Sequence, residues 1–296
     1  MASTTELIKV LRERTGAGML DCKKALDAND NDVEKSVDWL REKGIAKANR
    51  KADRIAAEGL ATVAVAGNYA VICEVNSETD FVAKNEQFVE LVKNVAEALL
   101  ATRPATLEAA LATSYQGITI NDLVVNATAR IGEKITLRRF EIVEKGDADV
   151  FGSYIHMGGK IVSLVVLANT DNVEVSKDVA MQVAASNPQY LSKETVDADF
   201  IEKEKHIQLE TAKNDPELSK KPEQALIKIV EGRINKTLKE ICLLDQAFIK
   251  QPELSVSAYL ANNKTCVVKY LRYQVGEGMQ KREDNFVEEV MSQVKK

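Results

Sequence analysis

Nucleophilic or metal-assisted chemistry in this chain of 296 residues would have to draw on two histidines and four cysteines. His156 and His206 are far apart, and Cys22, Cys73, Cys242 and Cys266 are scattered, with no C-x-x-C pair among them. No H-E-x-x-H, G-x-S-x-G or clustered Cys/His metal spacing occurs. Cys22 stands next to Lys23, but no histidine is close in sequence to serve as its base. Thr15-Gly16-Ala17-Gly18 and Gly276-Glu277-Gly278 are short, and neither precedes the Lys-Ser/Thr pair that a phosphate-cradling loop requires. They read as turns. The expectation is no covalent chemistry, no metal, no cofactor and no nucleotide site in this chain.

The chemistry that the sequence does offer is recognition. Ser77-Glu78-Thr79-Asp80-Phe81-Val82 lies where a strand ends and a helix is about to start. Thr79 or Asp80 could be a helix N-cap, with Phe81 folded back as a hydrophobic staple. Alternatively Phe81 protrudes from a rigid tip. An aromatic anchor of that kind enters a partner pocket at little entropic cost, while the adjacent carboxylate competes for cationic or hydrogen-bonding groups there. A second stretch, Lys47, Arg50, Lys51 and Arg54, could contact RNA phosphates. It reads equally as a solvated helix face diluted by Asp53 and Glu58.

The bulk charge weighs between these. A net charge of −5 and a pI near 5.4 argue against a nucleic acid as main ligand and for a protein or small-molecule partner. Direct sequence-specific nucleic-acid recognition is not expected. The first residues lack a charged-then-apolar leader pattern, and no apolar run approaches the ~18 residues a membrane span needs. A cytoplasmic, reduced protein without membrane contact is the expectation.

Positioning such a tip requires a scaffold, and the periodicities outline one. Leu7, Ile8 and Leu11 give the three-and-four spacing of an apolar helix face. Thr15 to Gly18 breaks it, and a second helix runs from about Met19 to Ala28. Asn29-Asp30-Asn31-Asp32 then precedes a third helix, with Val33, Val37 and Leu40, that ends at Lys43-Gly44. Residues 45–58, rich in Ala, Lys and Arg, read as a linker, helical in part. Beyond it the chain turns β-rich and repeats itself. Leu60 to Val65 and Tyr69 to Val75 flank the hairpin signal Ala66-Gly67-Asn68. A helix with Phe88, Leu91, Val92, Val95 and Leu99 on one face follows, then a weaker helix near Ile120 to Ala129 and a strand from Ile135 to Val143. In the second copy Val150 to Ile155 and Lys160 to Ala168 flank Gly158-Gly159. A helix with Val175, Val179 and Val183 and a late strand, Cys266 to Val275, complete it. Between them, Ile227, Val230, Ile234, Leu238 and Ile241 step as a coiled-coil seam, with Val196, Phe200 and Ile207 as a facing seam.

The expected fold class is therefore α+β. It comprises an N-terminal three-helix bundle over 1–44, a linker over 45–58 and a first core module over 59–147. A related second module takes in 148–194 and 242–278. An antiparallel coiled coil is inserted at 195–241, and a C-terminal helix covers 279–296.

The run Leu11-Arg12-Glu13-Arg14-Thr15-Gly16-Ala17-Gly18-Met19-Leu20-Asp21-Cys22-Lys23-Lys24-Ala25-Leu26 closely resembles the N-terminal signature of the elongation factor Ts family. Thr79-Asp80-Phe81-Val82 is similar to its second signature. The likeness continues through Gly152-Ser153-Tyr154-Ile155-His156, Val230-Glu231-Gly232-Arg233 and Val275-Gly276-Glu277-Gly278. Leu20 departs from a common Met, and Met157 stands where many members have Gly. The resemblance implies a non-enzymatic guanine-nucleotide exchange factor whose partner is elongation factor Tu, GDP-bound and nucleotide-free. It implies that the bundle docks on the nucleotide-binding domain of Tu through Arg12, Met19 and Lys23. Thr79, Asp80, Phe81 and Val82 would act beside the nucleotide site and displace its Mg2+. Ile131 and Gly132 match another contact stretch, and His156 would touch a different domain of Tu. On the residues alone, Lys23 reads equally as a solvated lysine, Met19 as part of the bundle core and His156 as a structural histidine. A peptide-docking adaptor and an RNA-associated accessory protein remain the alternatives from other classes.

Overall fold

The computed structural model describes residues 3–280, and the chain is mixed α+β. The C-terminal helix expected over 279–296 falls outside the described residues except for Met279 and Gln280, neither of which is helical. Contacts divide the chain into two units. Residues 3–144, 155–162 and 273–280 form the first, and residues 145–154 and 163–272 the second. This partition cuts across the ranges 148–194 and 242–278 anticipated for a second module.

The first unit opens with α1 (Thr4–Thr15), α2 (Met19–Ala28) and α3 (Val33–Asn49) around a core of Leu11, Cys22, Ala25 and Leu26. Ser3 and Glu6 form a reciprocal capping box on α1, Gly16 ends it at φ 66°, and Asp32 caps α3. The third helix does not stop at Gly44; it continues to Asn49. Gly44 is buried in the helix, where an added Cβ would meet Ala129 and Val125 at 3.6 and 3.8 Å. It lies in a helix–helix contact rather than at a cap.

A β-hairpin follows, β1 (Glu58–Ala66) and β2 (Tyr69–Ser77), turning at Gly67-Asn68 with Gly67 at φ 56°. Next come α4 (Asp80–Ala83), α5 (Glu86–Thr102), α6 (Leu107–Ala112), the short ribbon β3 (Ser114–Tyr115) and β4 (Ile118–Thr119), α7 (Ile120–Ile131) and β5 (Thr136–Glu144). Strand β5 runs antiparallel to β2, giving a sheet of order β1-β2-β5. Helix α5 covers it, burying Phe88, Leu91, Val92, Val95 and Leu99 with α7's Val124 and Ala127 in one core. Between β2 and β5 the register slips: Glu74 pairs with Arg139 but Val75 with Leu137. Arg138 is the extra residue of a bulge. Consecutive strand residues normally face opposite ways; the bulge lets both arginines reach Glu74.

The second sheet is built from β6 (Val150–His156), β7 (Ile161–Leu167) and, much later, β10 (Val267–Gln274), in the order β6-β7-β10. Helix α8 (Val173–Ser186) follows β7. It packs so closely that a Cβ on Gly152 would stand 2.1 Å from the Ser176 carbonyl. Then come α9 (Ala198–Asn214), α10 (Glu223–Ile241), the ribbon β8 (Ala247–Phe248) and β9 (Gln251–Ser255), and α11 (Val256–Asn262). Helices α9 and α10 pack together across the connection 215–222, so they run back along each other. Their packed row departs from the expected seam at two residues. Leu226, Val230, Ile234 and Leu238 are buried, whereas Ile227 and Ile207 are exposed. Val230, Ile234, Leu238 and Ile241 of the expected seam do pack in this pair, with Val196 and Phe200 in the same cluster. Leu226 therefore takes the place given to Ile227, and Ile201 and Leu209 the place given to Ile207.

Candidate functional site

The segment from Ser77 to Val82 leaves β2 and enters the single turn of α4. Thr79 is the N-cap, its hydroxyl accepting from the Val82 N–H at 3.4 Å. Phe81 is 81% exposed, the largest exposure among the large apolar side chains of the described residues. The staple expected as one possibility is absent. The residue before the cap is Glu78, not an apolar one, and Phe81 is the second helical residue, where no staple partner faces it. Val82 packs against the core below and Ala83 is buried, so one side of the turn is rooted while Phe81 stands clear. Asp80 is bonded to Lys84 at 2.7 Å. That bond holds its carboxyl below the usual carboxylate range, with the charge of Lys160 also contributing.

The base of the tip is tied to the loop after α7 by an exchange of carboxylates. Glu133 Oε2 accepts from the N–H of Glu78 (3.1 Å) and of Thr79 (3.0 Å), and its Oε1 from the Thr79 hydroxyl (2.7 Å). In return Glu78 Oε1 accepts from the Lys134 N–H at 2.6 Å. Gly132 ends α7 at φ 90°, its N–H donating to Thr128 O. Ile131 is half-buried against the core and Gly132 is exposed. The structure thus brings Ile131 and Gly132 beside Thr79 through their neighbour Glu133.

The remaining predicted residues stand elsewhere in the first unit. Met19 is 59% and Leu20 73% exposed at the start of α2, so Met19 is outside the bundle core, and Arg12 and Lys23 are exposed as well. His156 is exposed at the end of β6 between Ile155 and Met157, both also exposed. This turn leans on β1: Gly159, at φ 106°, has Ala61 O where a Cβ would stand at 2.8 Å. Lys160 is ion-paired with Glu58.

The basic stretch is engaged inside the protein. Lys47 pairs with Asp21 (3.0 Å) and Arg50 Nε donates to Ala46 O. Lys51 donates to the Gly132 carbonyl, and Arg54 pairs with Glu78 (3.2 Å). Lys134 Nζ donates to the carbonyls of Ala52 (2.5 Å) and Arg54 (2.9 Å). None of these bonds is legible from the run of cations itself. Glu133 and Lys134 escaped sequence reading for the same reason: a Glu-Lys pair after a helix-ending glycine looks like ordinary solvated loop.

Burial pushes the Cys22 thiol up, and burial with the neighbouring Glu74 charge takes Cys73 to about 12, so neither is a ready nucleophile. Among the described residues no group of His, Cys, Asp and Glu could hold a metal ion, and no helix is long and apolar enough to cross a membrane. A family model described as Elongation factor TS matches residues 78–277, more than half of the chain. A second, described as Elongation factor Ts, mitochondrial, N-terminal, matches residues 1–48.

Proposed function

The chain belongs to the elongation factor Ts family, nucleotide exchange factors of translation elongation that act on elongation factor Tu, and we propose that it releases GDP by using Phe81 as a wedge. In this reading the two three-stranded sheets, each with the helix that follows its hairpin, are related core modules. Residues 195–241 form an arm, and the N-terminal bundle docks through Arg12, Met19 and Lys23. Ile131, Gly132 and His156 add contact at other points. No covalent step takes place on this chain, and it needs no cofactor or nucleic acid of its own.

The physics is that of reciprocal coupling. A GTPase holds its nucleotide through phosphate contacts, a lysine and a magnesium ion. A factor that binds the empty protein better than the loaded one weakens nucleotide by the same factor that nucleotide weakens it. Each tenfold requires about 1.4 kcal/mol of differential affinity. Phe81 inserted beside the nucleotide site shifts the groups that support the magnesium ion, and Asp80 holds the displaced geometry. The grip on the phosphates then loosens. The factor acts on GDP-bound Tu and remains on the nucleotide-free form until another nucleotide enters.

The observation that carries this reading is the exposure of Phe81 on a base with five hydrogen bonds behind it. An aromatic ring left in water has no stabilising role in the free protein, and its pre-set position lowers the ordering cost of binding. The test is release of a fluorescent GDP analogue from Tu, chased with unlabelled nucleotide. Phe81→Ala leaves the fold intact and slows stimulated release by tenfold or more, a loss of about 1.4 kcal/mol or greater. Release at the wild-type rate removes the wedge.

A further inference from the structure

A one-turn helix cannot aim its own side chains. Helix α4 spans Asp80–Ala83, so the direction in which Phe81 projects is set by the residue that enters the turn, Thr79. Thr79 in turn is fixed from outside its own strand. Both its N–H and its hydroxyl bond to one carboxylate, Glu133, which also takes the N–H of Glu78. Glu133 follows directly on the end of α7, whose Val124, Ala127 and Thr128 are buried. The loop is closed behind it by the Ile135 N–H donating to Thr128 Oγ1 at 3.2 Å. The reverse bond from the Lys134 N–H to Glu78 closes the ring, and Arg54 pairs with both oxygens of the same carboxylate.

We infer that Glu133 is the positioning residue of the exchange wedge: by gripping Thr79 and Glu78 it sets where Phe81 stands, while touching neither nucleotide nor the pocket Phe81 enters. The inference rests on the wedge reading of Phe81. The Arg54 and Lys134 bonds extend the clasp to the segment that follows α3, so the same loop that aims Phe81 also anchors the exit from the N-terminal bundle. Of the basic stretch, Arg54 is the residue that takes part in this clasp.

A residue that acts only through Phe81 has nothing left to do once the ring is gone, and this separates positioning from general structural support. The experiment is stimulated release of the GDP analogue from Tu, followed over a range of factor concentrations to give a maximal rate and a half-saturating concentration. The proteins are the full chain, Glu133→Ala, Phe81→Ala and the double variant, each with its thermal midpoint. Glu133→Ala lowers the maximal rate about tenfold and leaves the half-saturating concentration within about twofold, because docking through the rest of the surface persists. The double variant releases nucleotide at the rate of Phe81→Ala alone. Glu133→Gln keeps an oxygen for the Thr79 hydroxyl and falls between wild type and Glu133→Ala; it carries the test if the alanine variant does not fold. A wild-type maximal rate for both Glu133 variants, with Phe81→Ala slow, overturns the positioning role and leaves the wedge standing. A double variant slower than Phe81→Ala by the full Glu133 factor also overturns it, as independent structural support. Normal release by Phe81→Ala overturns the wedge and this inference with it.

Discussion

Three successive residues at positive φ make the turn between β6 and β7: Met157 at 49°, Gly158 at 65° and Gly159 at 106°. Glycine adopts this region freely, but a side chain there costs roughly 1–2 kcal/mol. Met157 is 72% exposed, so no packing offsets that cost. Met157→Gly is expected to raise stability by about 0.5–1 kcal/mol, the strain relieved less the extra freedom glycine gives the unfolded chain. The urea midpoint measures it. Met157 is thus a site of strain, and His156 precedes it directly. At this scale the sequence was partly legible. A cap at Thr79 or Asp80 with Phe81 folded back as a staple stood against a protruding Phe81; in the folded chain Thr79 is the cap, the staple is absent and Phe81 protrudes.

At the scale of elements, periodicity located helices well and their packed faces less well. The apolar stripe of α5 is in the core as its spacing predicts, because a helix on a sheet buries one broad face. Lys43-Gly44 has the local signature of a helix end, yet Gly44 is buried in mid-helix facing Ala129 and Val125 of α7, a tertiary contact that the local sequence does not reveal. The bulge at Arg138 was likewise invisible, since it depends on Glu74 across the sheet. In α10 the same limit shifts the buried row by one residue at its first turn. Leu226→Ala should cost about 2–3 kcal/mol of stability in the α9–α10 pair, the price of a buried leucine and the cavity it leaves. Ile227→Ala should cost less than about 0.5 kcal/mol, as for an exposed position. Urea unfolding, with hydrogen exchange along α10, distinguishes the two; the reverse order would restore the seam first read from the sequence.

At the scale of the whole molecule, Glu74 joins segments that are remote in the chain. Its carboxylate is 0% exposed and accepts from Arg138 (3.0 Å), Arg139 (2.7 Å) and the Gly276 N–H (2.9 Å). Arg139 also stacks over Tyr273 and donates to Gln274 O. Gly276, at φ 74°, approaches Ala57 so closely that a Cβ would stand 2.2 Å from its carbonyl. Burial alone would raise the Glu74 pKa, but the Gly276 N–H and the two arginines outweigh it and hold the group below its ordinary 4.5. A carboxyl depressed on folding contributes stability that is fully present above the unfolded value and disappears as pH falls through the folded one. Glu74→Gln is therefore expected to cost about 3 kcal/mol near neutral pH, because two arginines lose their buried partner. It should also flatten the decline in stability as pH falls below about 5, where the unfolded-state carboxyl begins to protonate. Urea unfolding across that range gives both numbers, and an unchanged acid limb would assign the decline to other carboxylates.

The bond from Gly276 to Glu74 spans 202 residues of chain. A polypeptide made from its N-terminus has Glu74, Arg138 and Arg139 long before the glycine that completes their cluster. The first sheet and its covering helix can form early, since their contacts close within one stretch of chain. The ion cluster beside them lacks its Gly276 N–H until that residue has been made. Closing so long a loop is entropically slow compared with local contacts. Gly276 thus acts as a keystone for segments made long before it, and a product stopped short of it would carry an incomplete cluster around the buried Glu74 charge.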